Sequence, residues 1–209
     1  LIIKDHHKNA AKEIVNIIHP EILNSKSKYI ITVSGESGAG KSEVAESIAG
    51  QLKELGINSY IFQQDDFFIY PPKTNAAKRK EDISRVGIHE VKMDLLEEIL
   101  IAIQNGITRT SKPLVIFDED RIIEETVDLN DKKVIIVEGT YTTTLKHVNH
   151  HIFIDRNIYD TRGSRQERGR EVQDEYLEKI LLIEHDIISA QKVLADIIVN
   201  KDYNVNKIK

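Results

Sequence analysis

Apolar and polar positions along this chain repeat with two periods, and the switches between them lay out an α/β protein. Ala10, Ile14, Ile17 and Ile18 share one face of a short helix, which the pattern closes at His19-Pro20. Tyr29 to Val33 is an unbroken apolar run, as expected for a strand covered on both faces. Val44, Ile48, Leu52 and Leu55 then recur at helical spacing, with Gly56 as the stop. Asn58 to Gln63 predicts a second strand. Tyr70 to Arg85, with Pro71-Pro72 and several basic residues, predicts a long loop without secondary structure. Val91, Leu95, Ile99 and Ile103 stripe a helix over residues 91–105, capped by Gly106.

The second half of the chain repeats the alternation. Two β-prone runs flank Asp118-Glu119-Asp120, so residues 113–129 predict a hairpin. Lys133 to Val137 and His151 to Asp155 predict two more strands. Val172, Tyr176, Ile180, Ile183 and Ile187 stripe a long helix, and Ala195 to Val199 predicts a last short strand. No repeat and no Gly/Ser-rich linker divides the 209 residues, so one domain is expected over 1–209, with residues 1–28 as an N-terminal helical arm.

Composition narrows the function. The net charge of −5 argues against a nucleic-acid surface, and a polyanionic ligand would have to be met by local basic groups. The absence of cysteine excludes disulfides, thiolate metal sites and cysteine nucleophiles. It fits a reducing compartment, and a cytoplasmic location is expected. No apolar run approaches membrane-spanning length, so no membrane partner is expected.

The chemistry centres on the turn between the first strand and its helix, Gly35-Glu36-Ser37-Gly38-Ala39-Gly40-Lys41-Ser42. A polyphosphate needs many donors converging at short range. Gly35, Gly38 and Gly40 let the backbone curl so that its N–H groups face inward, and the helix adds its positive end. Lys41 would reach the β- and γ-phosphates, and the Ser42 hydroxyl would hold Mg²⁺. ATP and Mg²⁺ are therefore the expected cofactors, with residues 35–42 and Glu43 as the nucleotide-binding stretch. Asp65 and Asp66 follow the second strand, where ligands bind in open α/β sheets. One would take a proton from a substrate hydroxyl and the other orient water or metal, unless they merely cap or solvate a loop. Glu138 ends the 133–137 strand, beside the phosphate loop, where it would hold Mg²⁺ or simply cap the next helix. Arg162, Arg165, Arg168 and Arg170 crowd nine positions, and the first three share a helical face suited to a transferring phosphoryl group. The pairs His6-His7 and His150-His151 are read as ordinary surface or core residues rather than metal ligands.

In this order, Gly35 to Ser42, Gln64-Asp65-Asp66-Phe67-Phe68, Val137-Glu138-Gly139, Thr161 to Arg170 and Ala195 to Val199 resemble the uridine kinase and phosphoribulokinase-like P-loop kinases. The resemblance covers roughly residues 29–200. It implies a P-loop NTPase-type three-layer α/β sandwich around a five-stranded parallel sheet, with an acceptor-side β-hairpin and an arginine-rich lid over 156–171. It implies an ATP-dependent kinase acting on a hydroxyl of a small molecule, most simply a nucleoside. Asp65 matches the family's catalytic aspartate, with Asp66 as its rival. Lys41 matches the phosphate-loop lysine, and Ser42, Glu138 and Asp65 form the expected metal set. Arg165 and Arg168 are assigned to the transferring group, and Arg162 and Arg170 to the nucleotide. The family's uridine-contacting hairpin pattern is replaced here by Phe117-Asp118-Glu119-Asp120-Arg121, without a histidine. That leaves nicotinamide riboside, pantothenate or a sugar phosphate as other acceptors. An acceptor-independent ATPase or switch and a silent nucleotide-binding module are the competing functions, and a homo-oligomer is left open.

Overall fold

The computed structural model of the chain describes residues 1–169 and 174–209. Its centre is a six-stranded sheet in the order β2-β5-β1-β6-β7-β8. The strands are β1 (Tyr29–Gly35), β2 (Ser59–Gln63), β5 (Val134–Gly139), β6 (His150–Ile154), β7 (Ile197–Val199) and β8 (Val205–Lys207). The first five run parallel, as expected, and β8 adds an antiparallel edge that the sequence reading did not include. A separate antiparallel pair, β3 (Arg109–Ile116) and β4 (Arg121–Asp128), forms the hairpin.

Alternation along each buried strand feeds two apolar layers. Ile31, Val33, Ile136 and Ile152 face α1 (Asp5–Asn24) and α2 (Lys41–Glu54). Ile30, Ile135, Val137 and Phe153 face α4 (Met93–Gln104) and Ile188 of α6 (Glu175–Ser189). Strands covered on both sides must be apolar throughout, which is why β1 and β5 read as continuous runs. No helix among the described residues is long and apolar enough to cross a membrane.

Three expectations need correction. The first helix does not end at His19-Pro20. α1 runs on to Asn24 with Pro20 inside it, because Ile22 sits fully buried one turn beyond Ile18 and anchors the last turn. It also buries seven residues, so residues 5–24 belong to the core rather than to an arm lying on it. The 70–85 segment is not a loop: Pro72–Glu81 forms α3. Pro72 presets the backbone of its first turn, and the missing cap comes from across the molecule. The Asp120 carboxylate accepts hydrogen bonds from the backbone N–H groups of Lys73 (2.6 Å) and Thr74 (3.1 Å) and from the Thr74 hydroxyl (2.7 Å). Finally, β3 begins at Arg109, before the predicted 113, because polar residues on a half-exposed ribbon pair as well as apolar ones; Arg109 lies opposite Asp128.

Candidate active site

The carboxyl ends of β1, β5 and β2 lie side by side, and each delivers one part of the site. The register places Val33 and Gln63 on either side of Glu138, so the phosphate loop, Glu138 and Asp65 stand at the ends of adjacent strands. Gly40 opens α2 with φ +96°, and a Cβ there would fall 2.5 Å from the Tyr203 hydroxyl; both conformation and space demand glycine. Ser42 donates to Glu138 Oε1 at 3.1 Å, and Lys41 Nζ donates to the Glu36 carbonyl at 3.0 Å. Glu138 is buried, and burial pushes its carboxyl up to about 7, with the Lys41 charge opposing and the Asp65 charge adding to the rise. Lys41 and Asp65 thus both act on the same carboxylate. No group of three His, Cys, Asp or Glu side chains among the described residues is arranged to hold a metal. The Ser42–Glu138 oxygens suit Mg²⁺ nonetheless, since that ion keeps waters and phosphate oxygens and needs only one or two protein ligands.

The two aspartates part company. Asp66 is buried, takes Lys112 Nζ at 2.6 Å and accepts the Val115 N–H at 3.0 Å, which ties the hairpin to the end of β2. Asp65 is exposed. Gln64 between β2 and Asp65 is fully buried; its Oε1 accepts the Tyr141 N–H at 2.7 Å. A Cβ on Gly139 would fall 2.3 Å from Gln64 Cβ, so the missing side chain of Gly139 is what lets the two strand ends close together. Sequence reasoning quoted Gln64 and Gly139 within motifs but missed this contact, whose only trace is that both residues stand beside the acidic ones.

The arginine helix α5 (Arg162–Arg168) meets the phosphate loop through Arg165. Arg165 is buried, its Cγ lies 2.8 Å from where a Cβ on Gly38 would stand, and its guanidinium donates to Thr161 Oγ1. Arg162 is exposed, so the two do not share an environment despite their spacing. Of Arg168 only its place in α5 is described, and Arg170 lies outside the described residues. Glu36 turns its side chain toward the lid side. Its Oε1 meets His185 Nδ1 of α6 at 2.6 Å, and burial raises its carboxyl while His185 and Arg165 oppose. Ala39 offers its carbonyl to the Tyr203 hydroxyl at 2.8 Å. Ser37 stays on the loop between them, and Glu43 lines the adjoining cavity.

The largest surprise lies at the other end of that cavity, about 460 Å³ in volume. His6, His7, Arg156 and Tyr203 line it together with the phosphate loop. None of the four was singled out from sequence as a site residue, because they come from three distant segments. A second hollow of about 560 Å³ lies at the opposite end of the sheet, beside Lys28 and Lys133. Those lysines donate to backbone carbonyls, Lys28 to Leu129 and Lys132, Lys133 to Ser25 and Ser27. They hold the fold there rather than a ligand.

Comparison with known proteins gives the family and the fold. The profile described as "PRK: Phosphoribulokinase / Uridine kinase family" matches residues 30–202. The chain belongs to that family. Among its relatives, a bifunctional alpha-galactosidase/sucrose kinase of Mediterraneibacter gnavus is 23% identical over 87% of this chain but only 21% of its own length. A uridine kinase of Ureaplasma urealyticum is 27% identical over 57% of the chain and 56% of its length. The chain therefore spans about a fifth to about half of these relatives. A uridine kinase of Clostridium novyi is 31% identical over 86% of the chain and 94% of its length. The structure of phosphoribulokinase from Rhodobacter spheroides superposes with a TM-score of 0.66, covering 84% of this chain and 71% of that one at 14% identity. This phosphoribulokinase/uridine kinase family member thus has the three-layer P-loop kinase fold that its motifs implied.

Proposed function

We propose that this chain transfers the γ-phosphoryl group of ATP to a hydroxyl of a small, nucleoside-like metabolite. The observation that carries the reading is the meeting of Lys41, the Ser42–Glu138 pair and exposed Asp65 at the ends of three adjacent strands. Asp65 accepts the proton of the acceptor hydroxyl as its oxygen bonds to the γ-phosphorus. The bond from that phosphorus to the β,γ-bridging oxygen breaks, and ADP leaves. Lys41, the loop N–H groups and Arg165 stabilise charge on the transferring group. Ser42 and Glu138 would hold Mg²⁺, which neutralises β- and γ-oxygen charge when bound. Asp66 does not compete for the proton, because Lys112 and the Val115 N–H already occupy it.

The test is ADP release with ATP and Mg²⁺ across uridine and other nucleosides, nicotinamide riboside, pantothenate, sugars and sugar phosphates. Release that depends on one acceptor supports the kinase; equal release without any acceptor makes the chain an ATPase, and none makes it a silent binder. A sugar hydroxyl is the second acceptor to try, since the relative aligned over 87% of the chain is named a sucrose kinase.

A further inference from the structure

The cavity beside the phosphate loop has two chemically different ends. One end carries Gly40, Lys41 and Ser42, where a phosphate chain is gripped. The other is a stack of flat groups. The His6 ring lies on Tyr203 with centroids 4.3 Å apart and planes at 30°, and the Arg156 guanidinium sits 5.1 Å from the Tyr203 centroid. His7 meets both rings edge-on. The outer ring of this stack, His6, is exposed and lines the cavity. The volume, about 460 Å³, falls in the range of small-molecule sites.

Tyr203 is held where it is. Its backbone has φ +64°, a conformation that bulky residues adopt only when the surroundings impose it. Its hydroxyl donates to the Ala39 carbonyl (2.8 Å), accepts from Arg156 Nη1 (2.8 Å) and meets His7 Nε2 (3.2 Å). His7 Nδ1 accepts the Lys4 N–H at 3.0 Å, so the ring is neutral with its proton on Nε2. The phosphate loop, the loop before β8 and the start of α1 are therefore locked together at one atom.

We infer that the start of α1 forms the nucleobase end of the nucleotide site, with His6 as the ring on which the base of the triphosphate stacks. The inference rests on the triphosphate reading of the loop and adds what grips the other end of the ligand. His6, His7 and Tyr203 all lie outside the residues, 30–202, over which the family match extends, while Arg156 lies within them. Burial and the nearby Arg156 and Lys4 charges lower the His6 pKa. Burial and His6 bring His7 down to about 4, which leaves both rings uncharged at neutral pH. Lys4 is engaged with Glu167 of α5 at 3.1 Å. Uncharged π surfaces suit a base, which stacks on any flat ring or guanidinium.

The test compares binding of ATP and of inorganic tripolyphosphate to the full chain with Mg²⁺, by calorimetry, in wild type, His6→Ala and His6→Phe. His6→Ala should weaken ATP about tenfold and leave tripolyphosphate unchanged, and His6→Phe should keep ATP affinity within about twofold. Unchanged ATP binding in His6→Ala overturns the inference, as does equal weakening of both ligands or a Phe variant as weak as the Ala variant. Wild type that binds neither ligand brings down the triphosphate reading, and this wall with it.

Discussion

The phosphate loop and the hairpin side of the candidate site are assembled differently. Gly35, Gly38, Gly40, Lys41 and Ser42 come from one short stretch between a strand and a helix, though Arg165 and Tyr203 pack against its glycines from afar. On the hairpin side Asp66 reaches Lys112 and Thr74 reaches Asp120, each across 46 residues. Arg79 of α3 likewise joins Glu90 (2.7 Å) and Glu184 of α6 (3.1 Å). The phosphate loop presents backbone donors that any chain with this turn presents. The hairpin side rests on side-chain pairs that several segments must agree upon.

The sharpest way to break the comparison acts where the sides meet. Asp65→Asn should cut turnover about 10³-fold while ATP affinity, read by direct binding, stays within about threefold. Asp66→Asn, by contrast, should show up chiefly as a lower melting temperature; near-normal turnover in Asp65→Asn would hand the proton to another group. Next in size, Lys112→Met strands the buried Asp66 carboxylate and should cost about 3–5 kcal/mol in denaturant unfolding. The double variant Asp66→Leu with Lys112→Met should recover most of it, as it would not if the pair mattered only for activity.

A third prediction concerns the nucleotide side. The folded chain holds the His7 pKa down at about 4, against 6.5 for an ordinary histidine. The unfolded chain then binds the extra proton between those values, so stability is fully present above pH 6.5 and declines as pH falls toward 4. The loss is on the order of 3 kcal/mol from this ring. His7→Gln should flatten that part of the stability–pH curve; an unaltered slope would assign it to other groups. The smallest effect belongs to the hairpin side. Asp120→Ala removes the cap of α3 and should cost about 1 kcal/mol. It should raise the acceptor KM while leaving the ATP KM alone.

These contrasts explain which parts of the molecule were legible beforehand. The strands β1 and β5 were visible because burial on both faces forces an unbroken apolar run. The phosphate loop was visible because its glycines and Lys41-Ser42 serve a local geometry. α3 was not, since it has scarcely any apolar stripe, burying only Asn75, and its cap lies on the hairpin tip. The continuation of α1 past Pro20 was hidden because proline's local penalty outweighs, on paper, an anchoring contact that only the fold supplies. β8 escaped because three residues, one half-buried and two exposed, carry no periodic signal.

By itself the sequence determined the α/β layering, the triphosphate turn and the order of the acidic and arginine-bearing segments, since each depends on residues within a few positions of one another. Tertiary structure alone decided that Asp65 stays exposed while Asp66 is buried on Lys112, that Glu36 turns to His185, and that His6 and Tyr203 line the cavity beside the phosphate loop. Those choices depend on which distant partner claims a side chain first, and no local pattern records a contact that only packing creates.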